Sequence, residues 1–282
     1  MQTRRGFLKD TGKLSVGVML LPNVNLISES RRFSPGVQLY TLRDDMKTDV
    51  IGTLKKLASL GIKQIETAHS EKGYYYGFKP NELKNICKDL GLVLRSAHIH
   101  LNEQWPQHID DAAAAGVEYL ICSSADFGGQ TVESYKRVAE KFNDAGKQCK
   151  QQNIKFGYHN HDYEFAVDSG QVLYDVLLDN TDPTLVHMQL DLGWVIYSKK
   201  DPVDYFKKYP GRFPLWHLKD IAVNGEKRHS TVLGTGTLNV KQMFDHASLS
   251  GLKYYFIEQE EYTSAPLDCM KKNMAYLKKI RR

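Results

Sequence analysis

The chain has 282 residues, of which 41% are hydrophobic and 25% are charged. This composition is that of an ordinary folded domain, and it excludes intrinsic disorder, a collagen-like chain and a multispan membrane protein. The net charge of +5 comes from the two ends, because residues 1–32 carry a net charge of +4 and residues 270–282 carry +6. The remaining body has a net charge of −5, which argues against a nucleic-acid partner.

Residues 1–30 have the order of a signal peptide. The segment Thr3–Lys9, which contains Arg4-Arg5, resembles the twin-arginine export motif, and an apolar stretch from Leu14 to Leu21 follows it. This stretch is too short for a stable membrane span. We therefore expect a signal segment at 1–30, a barrel domain at 31–282 and export to the periplasm, with a cytoplasmic location if the signal is not functional.

From Gly36 onward, short runs rich in Val, Ile, Leu and Tyr alternate with longer amphipathic stretches, as in βα units that close a parallel sheet. The pattern predicts eight strands: Gly36–Tyr40, Ile62–Glu66, Val93–Ile99, Glu118–Cys122, Lys155–Asn160, Val186–Asp191, Phe213–Leu218 and Tyr254–Glu258. It predicts helices at Val50–Leu60, Asn81–Leu90, Val132–Gln152, Gln171–Leu178, Val203–Lys208, Val240–Leu249 and Pro266–Ile280. Trp105 is predicted to lie in a loop.

Glycines lie between the helical runs and the strands that follow them. Gly61, Gly91, Gly116 and Gly251 each follow a run of helical pattern and precede a strand, where glycine can end a helix in the left-handed conformation. The sequence contains neither a GxGxxG motif nor a P-loop, so a nucleotide-binding doubly wound sheet is not indicated. The prediction is therefore an α/β protein with a single (β/α)8 TIM barrel.

Residues able to bind a metal ion recur where the predicted strands end. They are Glu66, His98, His100, His159, His161, Asp191, His217 and Glu258. The carboxyl ends of the strands of a TIM barrel form one rim, and active sites are built there. A mixed set of histidines and carboxylates on this rim predicts an open metal site.

Four segments at successive strands resemble the xylose isomerase-like TIM barrel family, which is the sugar phosphate isomerase/epimerase superfamily. They are Tyr158–Phe165, Gln189–Trp194, Trp216–Asp220 and Ile257–Glu260. The resemblance implies one divalent ion, either Mn, Mg, Co or Zn, held by an acid on strand five, an Asp on strand six, a His on strand seven and a Glu on strand eight.

Asp191, His217 and Glu258 match the last three ligand positions of the family. The position on strand five departs from the pattern, because it carries His159 where the family has an acid. His161 lies on the same face of the strand and is the alternative ligand, with substrate contact as its other possible role. Glu164 is a third possibility, as a carboxylate that reaches in from the following loop.

The resemblance also implies the chemistry, which is isomerisation or epimerisation of a carbohydrate by removal of a proton next to a carbonyl. The candidate bases are Glu164, Glu66 and Glu258. Lys219 lies on the same face of its strand as His217 and can bind a substrate oxygen or lower the pKa of a neighbour. Further candidates for substrate contact are His98, His100, His161, Trp194 and Trp216.

Three other functions remain open at this point. A lyase or hydratase that acts on a 3-keto-glycoside needs the same proton abstraction. A non-catalytic carbohydrate-binding barrel would keep the aromatic residues without the metal site. An endonuclease-like phosphodiesterase is disfavoured by the acidic body of the chain. The expected partner is a small carbohydrate, and because phosphorylated sugars are mainly intracellular, export favours a free sugar or a glycoside.

Overall fold

The computed structural model describes residues 33–225 and 227–280. The proposed signal segment 1–30, the boundary at residue 31 and the last two residues of the domain lie outside this range. The strands are β1 (Pro35–Gln38), β2 (Gln64–Thr67), β3 (Val93–Ile99), β4 (Tyr119–Cys122), β5 (Lys155–His159), β6 (Val167–Asp168), β7 (Gln171–Val172), β8 (Val186–Asp191), β9 (Leu215–Leu218), β10 (Asp220–Asn224), β11 (Lys227–Thr231) and β12 (Tyr254–Ile257).

Eleven α-helices lie in the part of the chain that the structure describes. They are α1 (Arg43–Thr48), α2 (Val50–Leu60), α3 (Pro80–Asp89), α4 (Trp105–Ala115), α5 (Val132–Gln151), α6 (Leu173–Asn180), α7 (Leu192–Tyr197), α8 (Pro202–Lys208), α9 (Val240–Asp245), α10 (Ala247–Ser250) and α11 (Pro266–Ile280). None of these helices combines the length and the apolar character that crossing a bilayer requires.

Eight of the strands form a closed parallel barrel in the order β1-β2-β3-β4-β5-β8-β9-β12. The strands β6 and β7, and likewise β10 and β11, form two small antiparallel hairpins outside it. The predicted (β/α)8 barrel is therefore confirmed, and the third and sixth predicted strands have the predicted bounds. Gly61, Gly116 and Gly251 end α2, α4 and α10 with φ values of 96°, 66° and 81°.

The placement of Trp105 in a loop was wrong. Trp105 is the first residue of α4 and is buried, and Pro106 follows it in the first turn. Proline is favoured there because the amide it lacks has no partner within the helix.

Side chains of the barrel strands alternate between the interior of the barrel and the surrounding helices. On β9, His217 points inward and lies 6.5 Å from the ring of Phe256. Inside the barrel, a separate apolar cluster is formed by Tyr119, Ile121, Leu215 and Phe256. This cluster closes the barrel from below, and the polar inward-facing residues lie above it, toward the carboxyl ends of the strands.

Candidate metal centre and active site

Four buried side chains meet at the carboxyl ends of four barrel strands. His159 ends β5, Asp191 ends β8, His217 lies in β9 and Glu258 directly follows β12. One possible ligand atom from each lies within 4.8 Å of the other three. His217 Nδ1 is 2.7 Å from Glu258 Oε2 and 3.7 Å from Asp191 Oδ2, and His159 Nε2 is 4.0 Å from Asp191 Oδ2. We call these four residues the ligand quartet.

The local structure fixes the orientation of Asp191. Its Oδ1 accepts a hydrogen bond of 3.0 Å from Trp194 N and so caps the start of α7. A side-chain cap satisfies one of the free amides at a helix start. Because Oδ1 is used in this way, Oδ2 is directed to the quartet.

The donor set fits one divalent ion. Burial, followed by the nearby His217, lowers the pKa of His159 well below its ordinary value, so this imidazole is neutral, as a metal ligand must be. Burial lowers the pKa of His217 too, but Glu258 and Glu66 raise it well above its ordinary value, so His217 has to release a proton when an ion binds. The Nδ1 atom of His159 is buried and has no hydrogen-bond partner among the described residues. Two imidazoles and two carboxylates are a mixed nitrogen and oxygen set that suits Mn, Co or Zn.

Glu66 lies beside the quartet and orients it. Its carboxylate is fully buried, and five side chains contact it within 3.1 Å: Gln38, Ser96, His98, Gln189 and His217. Burial opposes its ionisation, but His98 and His217 hold the pKa of Glu66 well below its ordinary value. Because His217 Nε2 is bound to Glu66 at 2.5 Å, Nδ1 is left to face the other members of the quartet.

This environment makes Glu66 unsuitable as the catalytic base that the sequence suggested. Both of its oxygens are occupied by hydrogen bonds, and its lowered pKa makes it a weak proton acceptor. Its place in the structure is that of a positioning residue for His217.

Lys219 is the cation of the site. It is only 1% exposed, and its Nζ lies 2.8 Å from Asp191 Oδ2, 3.0 Å from Glu258 Oε2 and 2.6 Å from Glu260 Oε1. Burial opposes its charge, but Asp191 and Glu258 raise the pKa of Lys219 well above its ordinary value. A Cβ atom at position 193 would lie 2.7 Å from Lys219 Cγ, so Gly193 provides the space for this side chain.

A cavity of about 360 Å³ opens onto the quartet. Its lining includes His98, His159, Glu258 and Glu260 together with two histidines nearer the rim, His100 and His161. Trp194 lies beside it, with Lys219 Nζ 4.6 Å from the centre of its ring and the ring of His161 at 6.0 Å. The structure thus brings His98, His100, His161, Lys219 and Trp194 to the same site as the quartet.

Two predicted site residues lie elsewhere. Trp216 is fully buried outside the barrel, where its ring stacks on Phe206 at 5.1 Å and contacts Phe244 at 6.0 Å. It cannot contact a substrate, because it alternates with the inward-facing His217. Its assignment to substrate binding was therefore wrong.

Glu164 does not reach the quartet either. It accepts hydrogen bonds from the Tyr158 hydroxyl at 2.5 Å and from His161 N at 2.9 Å. Tyr158 precedes His159 and therefore points outward, where its ring packs against Phe142 of α5. The carboxyl group of Glu164 is held in this outer layer, so the structure contradicts its role as a base or a ligand.

The outward position of Glu164 leads to a prediction for stability. Burial raises the pKa of Glu164 to about 8 from 4.5. Between these values the unfolded chain releases the proton that the folded protein retains, so the free energy of unfolding falls with rising pH, by at most about 1.4 kcal/mol per unit from this group. Glu164→Gln should flatten the fall between pH 5 and pH 8 in urea titrations.

The control for this prediction is Glu133→Gln, which changes an exposed glutamate of α5. This variant should keep the slope of the wild-type protein. If Glu164→Gln also keeps that slope, Glu164 is ionised in the folded state and the assignment is wrong.

Sequence reasoning missed several residues of the site: Gln38, Ser96, Gln189 and Glu260. A signal was available for Gln189 and Glu260, because each lies two residues from a predicted ligand and so on the same face of its strand or its extension. The same spacing relates Ser96 to His98 on β3, whereas Gln38 carried no signal of its own.

Comparison with known proteins identifies the family of the chain. Residues 54–280 match the family model described as xylose isomerase-like TIM barrel. An inosose dehydratase from Clostridium perfringens is 30% identical over 204 residues, which are 61% of this chain and 68% of that protein. An inosose dehydratase from Clostridium tetani is 29% identical over 165 residues, which are 52% of this chain and 55% of that protein.

Solved structures share the whole barrel. A sugar phosphate isomerase/epimerase from Parabacteroides distasonis has a TM-score of 0.75 at 27% identity, and the match covers 86% of this chain and 93% of that one. A Mycobacterium smegmatis protein solved with magnesium has a TM-score of 0.64 at 14% identity, covering 89% of this chain and 97% of that one, so it shows the fold alone. By the match to its family model, the chain belongs to the xylose isomerase-like TIM barrel family.

Proposed function

We propose that the protein is a metal-dependent lyase that removes a proton next to the carbonyl of a keto-sugar or keto-cyclitol and expels the substituent on the following carbon. The observation that carries the proposal is the buried ligand quartet beside a cavity lined by Glu260, which is paired with the buried Lys219. The similarity to proteins named inosose dehydratase favours elimination over isomerisation.

The quartet would hold the divalent ion, which supplies Lewis-acid polarisation of the carbonyl when it is bound. The chain itself must provide a base. Glu258 is occupied by His217 and Lys219, whereas Glu260 lies outside the quartet, lines the cavity and contacts Lys219 through one oxygen. We assign proton abstraction to Glu260 because a base has to reach the substrate without giving up a metal ligand.

Glu260 can also return the proton. The proton that it takes from carbon passes to the leaving oxygen as the carbon–oxygen bond breaks, so that water or an alcohol departs and Glu260 is ionised again. Lys219 is buried and contacts Glu260 at 2.6 Å, so its role is to hold this carboxylate in position.

Sugar isomerisation or epimerisation is the second candidate function. It is favoured by the Parabacteroides distasonis structure, which is named a sugar phosphate isomerase/epimerase and is 27% identical to this chain. The two reactions share the first proton transfer and differ in the second step. In an isomerase the proton returns to carbon, whereas in a lyase the neighbouring substituent leaves.

Incubation in D2O with the metal-loaded protein distinguishes these functions. We expect an inosose or a 3-keto-glycoside to lose its substituent and to give an unsaturated ketone, which mass spectrometry and NMR detect. Deuterium uptake with an isomeric product would support the isomerase instead. If no compound of either class exchanges a carbon-bound proton, the proposed function is wrong.

A further inference from the structure

The segment that carries Glu260 is held by side chains from other parts of the molecule. Residues 258–265 connect β12 to α11, and Glu260 lies within this connection. Backbone amides and carbonyls in such a segment find their hydrogen-bond partners outside it or in water. Glu260 N donates to Ser230 Oγ at 2.8 Å, and Glu260 O accepts from Arg43 Nη2 at 2.9 Å. The backbone of the proposed base is therefore fixed on both sides of its Cα atom.

Ser230 binds two successive amides of this segment. It lies in β11, is 4% exposed, and its Oγ accepts hydrogen bonds from the N atoms of Glu260 and Glu261 at 2.8 and 2.9 Å. The same hydroxyl donates to the Glu261 carboxylate, which also accepts a hydrogen bond of 2.8 Å from Ser230 N. A serine hydroxyl has one donor and two acceptor positions, so all three are used here. An alanine at this position would leave both amides without this partner.

Arg43, the first residue of α1, holds the segment from the side of β1. Besides Glu260 O, its guanidinium group binds Tyr40 O at 3.2 Å and the Tyr262 hydroxyl at 3.1 Å. The group also lies over the rings of both tyrosines, 4.8 and 5.4 Å from their centres. A planar guanidinium group binds several acceptors in a fixed geometry, which the single ammonium group of lysine cannot reproduce.

These contacts leave the Glu260 carboxylate available to a substrate. The side chain of Glu260 is 28% exposed and lines the active-site cavity. Because Ser230 and Arg43 bind its backbone, they can set the place of the carboxylate without competing for it. The place matters, since a base has to lie within hydrogen-bond reach of the proton that it removes. Displacement of a reacting group by about 1 Å can reduce the rate about 10²-fold.

We propose that Ser230 and Arg43 are positioning residues that hold the Glu260 carboxylate at its working place in the active site. This inference rests on the proposed function, in which Glu260 is the base. Both residues act through Glu260 and not through the substrate. Their replacement should therefore lower kcat and leave KM nearly unchanged.

The test measures kcat and KM of Ser230→Ala and Arg43→Lys with an inosose and a 3-keto-glycoside. We expect kcat to fall by about tenfold to 10²-fold, with KM changed by less than about twofold. Ser230→Thr keeps the hydroxyl and should retain most of the wild-type kcat. The matched controls are Ser59→Ala and Arg137→Lys, which alter exposed residues of α2 and α5 and should leave both parameters unchanged.

A double-mutant cycle separates positioning from a general effect on the fold. If Ser230 acts through Glu260, Ser230→Ala should cause no further loss of proton exchange in the Glu260→Gln protein, whereas independent effects would multiply. Multiplied losses, or wild-type kcat in both Ser230→Ala and Arg43→Lys, would overturn the positioning role. The proposed function would stand in either case, provided that Glu260→Gln alone is impaired.

Hydrogen exchange of the backbone tests the same contacts without turnover. Ser230→Ala should raise the exchange rates of the Glu260 and Glu261 amides by about tenfold, and Ser230→Thr should not. Mass spectrometry of a peptide that covers residues 258–265 measures these rates. Unchanged exchange in Ser230→Ala would contradict the proposal. If exchange rises as expected but the wild-type protein converts neither compound, the proposed function is wrong and the anchoring of the segment is retained.

Discussion

Replacing Asp191 by asparagine is expected to remove the bound divalent ion and the activity together. The substitution keeps the size of the side chain, and the amide oxygen can still cap Trp194 N, so the fold should be retained. The negative charge at the quartet is lost. Loss of a residue that only hydrogen-bonds to a metal ligand typically weakens metal binding by about 10–100-fold. Asp191 is itself a proposed ligand, so we expect a larger loss of metal affinity. Metal analysis after dialysis, together with turnover, measures both effects.

His217→Ala should have the same outcome, and the chain offers a matched control. His187 lies in β8, in the same strand as Asp191, but its ring packs on Tyr119 at 5.7 Å and not in the quartet. His187→Ala should retain the metal. If His217→Ala and Asp191→Asn both keep a full equivalent of metal, the quartet is not the metal site.

Glu260→Gln is expected to stop the chemistry while leaving the metal in place. Loss of a positioned base reduces kcat by about 10²–10⁴-fold. The amide can still accept a hydrogen bond from Lys219, so the cavity should keep its shape. Stopped assays of product formation and of proton exchange in D2O should fall in parallel, with one equivalent of metal per chain.

The matched control is Glu103→Gln, which alters an exposed glutamate in the loop after β3. It should react at the wild-type rate. If Glu260→Gln keeps the wild-type exchange rate, Glu260 is not the base. The next candidate is then His161, which also lines the cavity and whose imidazole can accept a proton.

The barrel was predictable because its strands are buried on both faces and therefore appear as short apolar runs. The ligands Asp191, His217 and Glu258 were predictable because strand ends and the alternation of side chains place them on one rim. The same alternation places Trp216, which neighbours His217, outside the barrel, so its exclusion from the site was predictable as well.

Other parts of the site depend on contacts that are distant in sequence. Glu164 follows β5 in a loop, and the direction of a loop side chain is set by packing and not by a strand period. Its outward position is decided by the Tyr158 hydroxyl. The role of Glu66 depends on donors from β1, β3, β8 and β9, which meet only when the barrel closes.

The convergence of four strands on Glu66 has a consequence for how the ion is acquired. The Glu66 carboxylate holds His217 of the quartet against the wall of the barrel. The closed sheet therefore sets the geometry of the metal site, and no ion is needed to assemble it. Metal exchange should then proceed without unfolding, and one ion should be replaceable by another in the native protein. The identity of the ion in the cell would follow the supply where the protein is loaded.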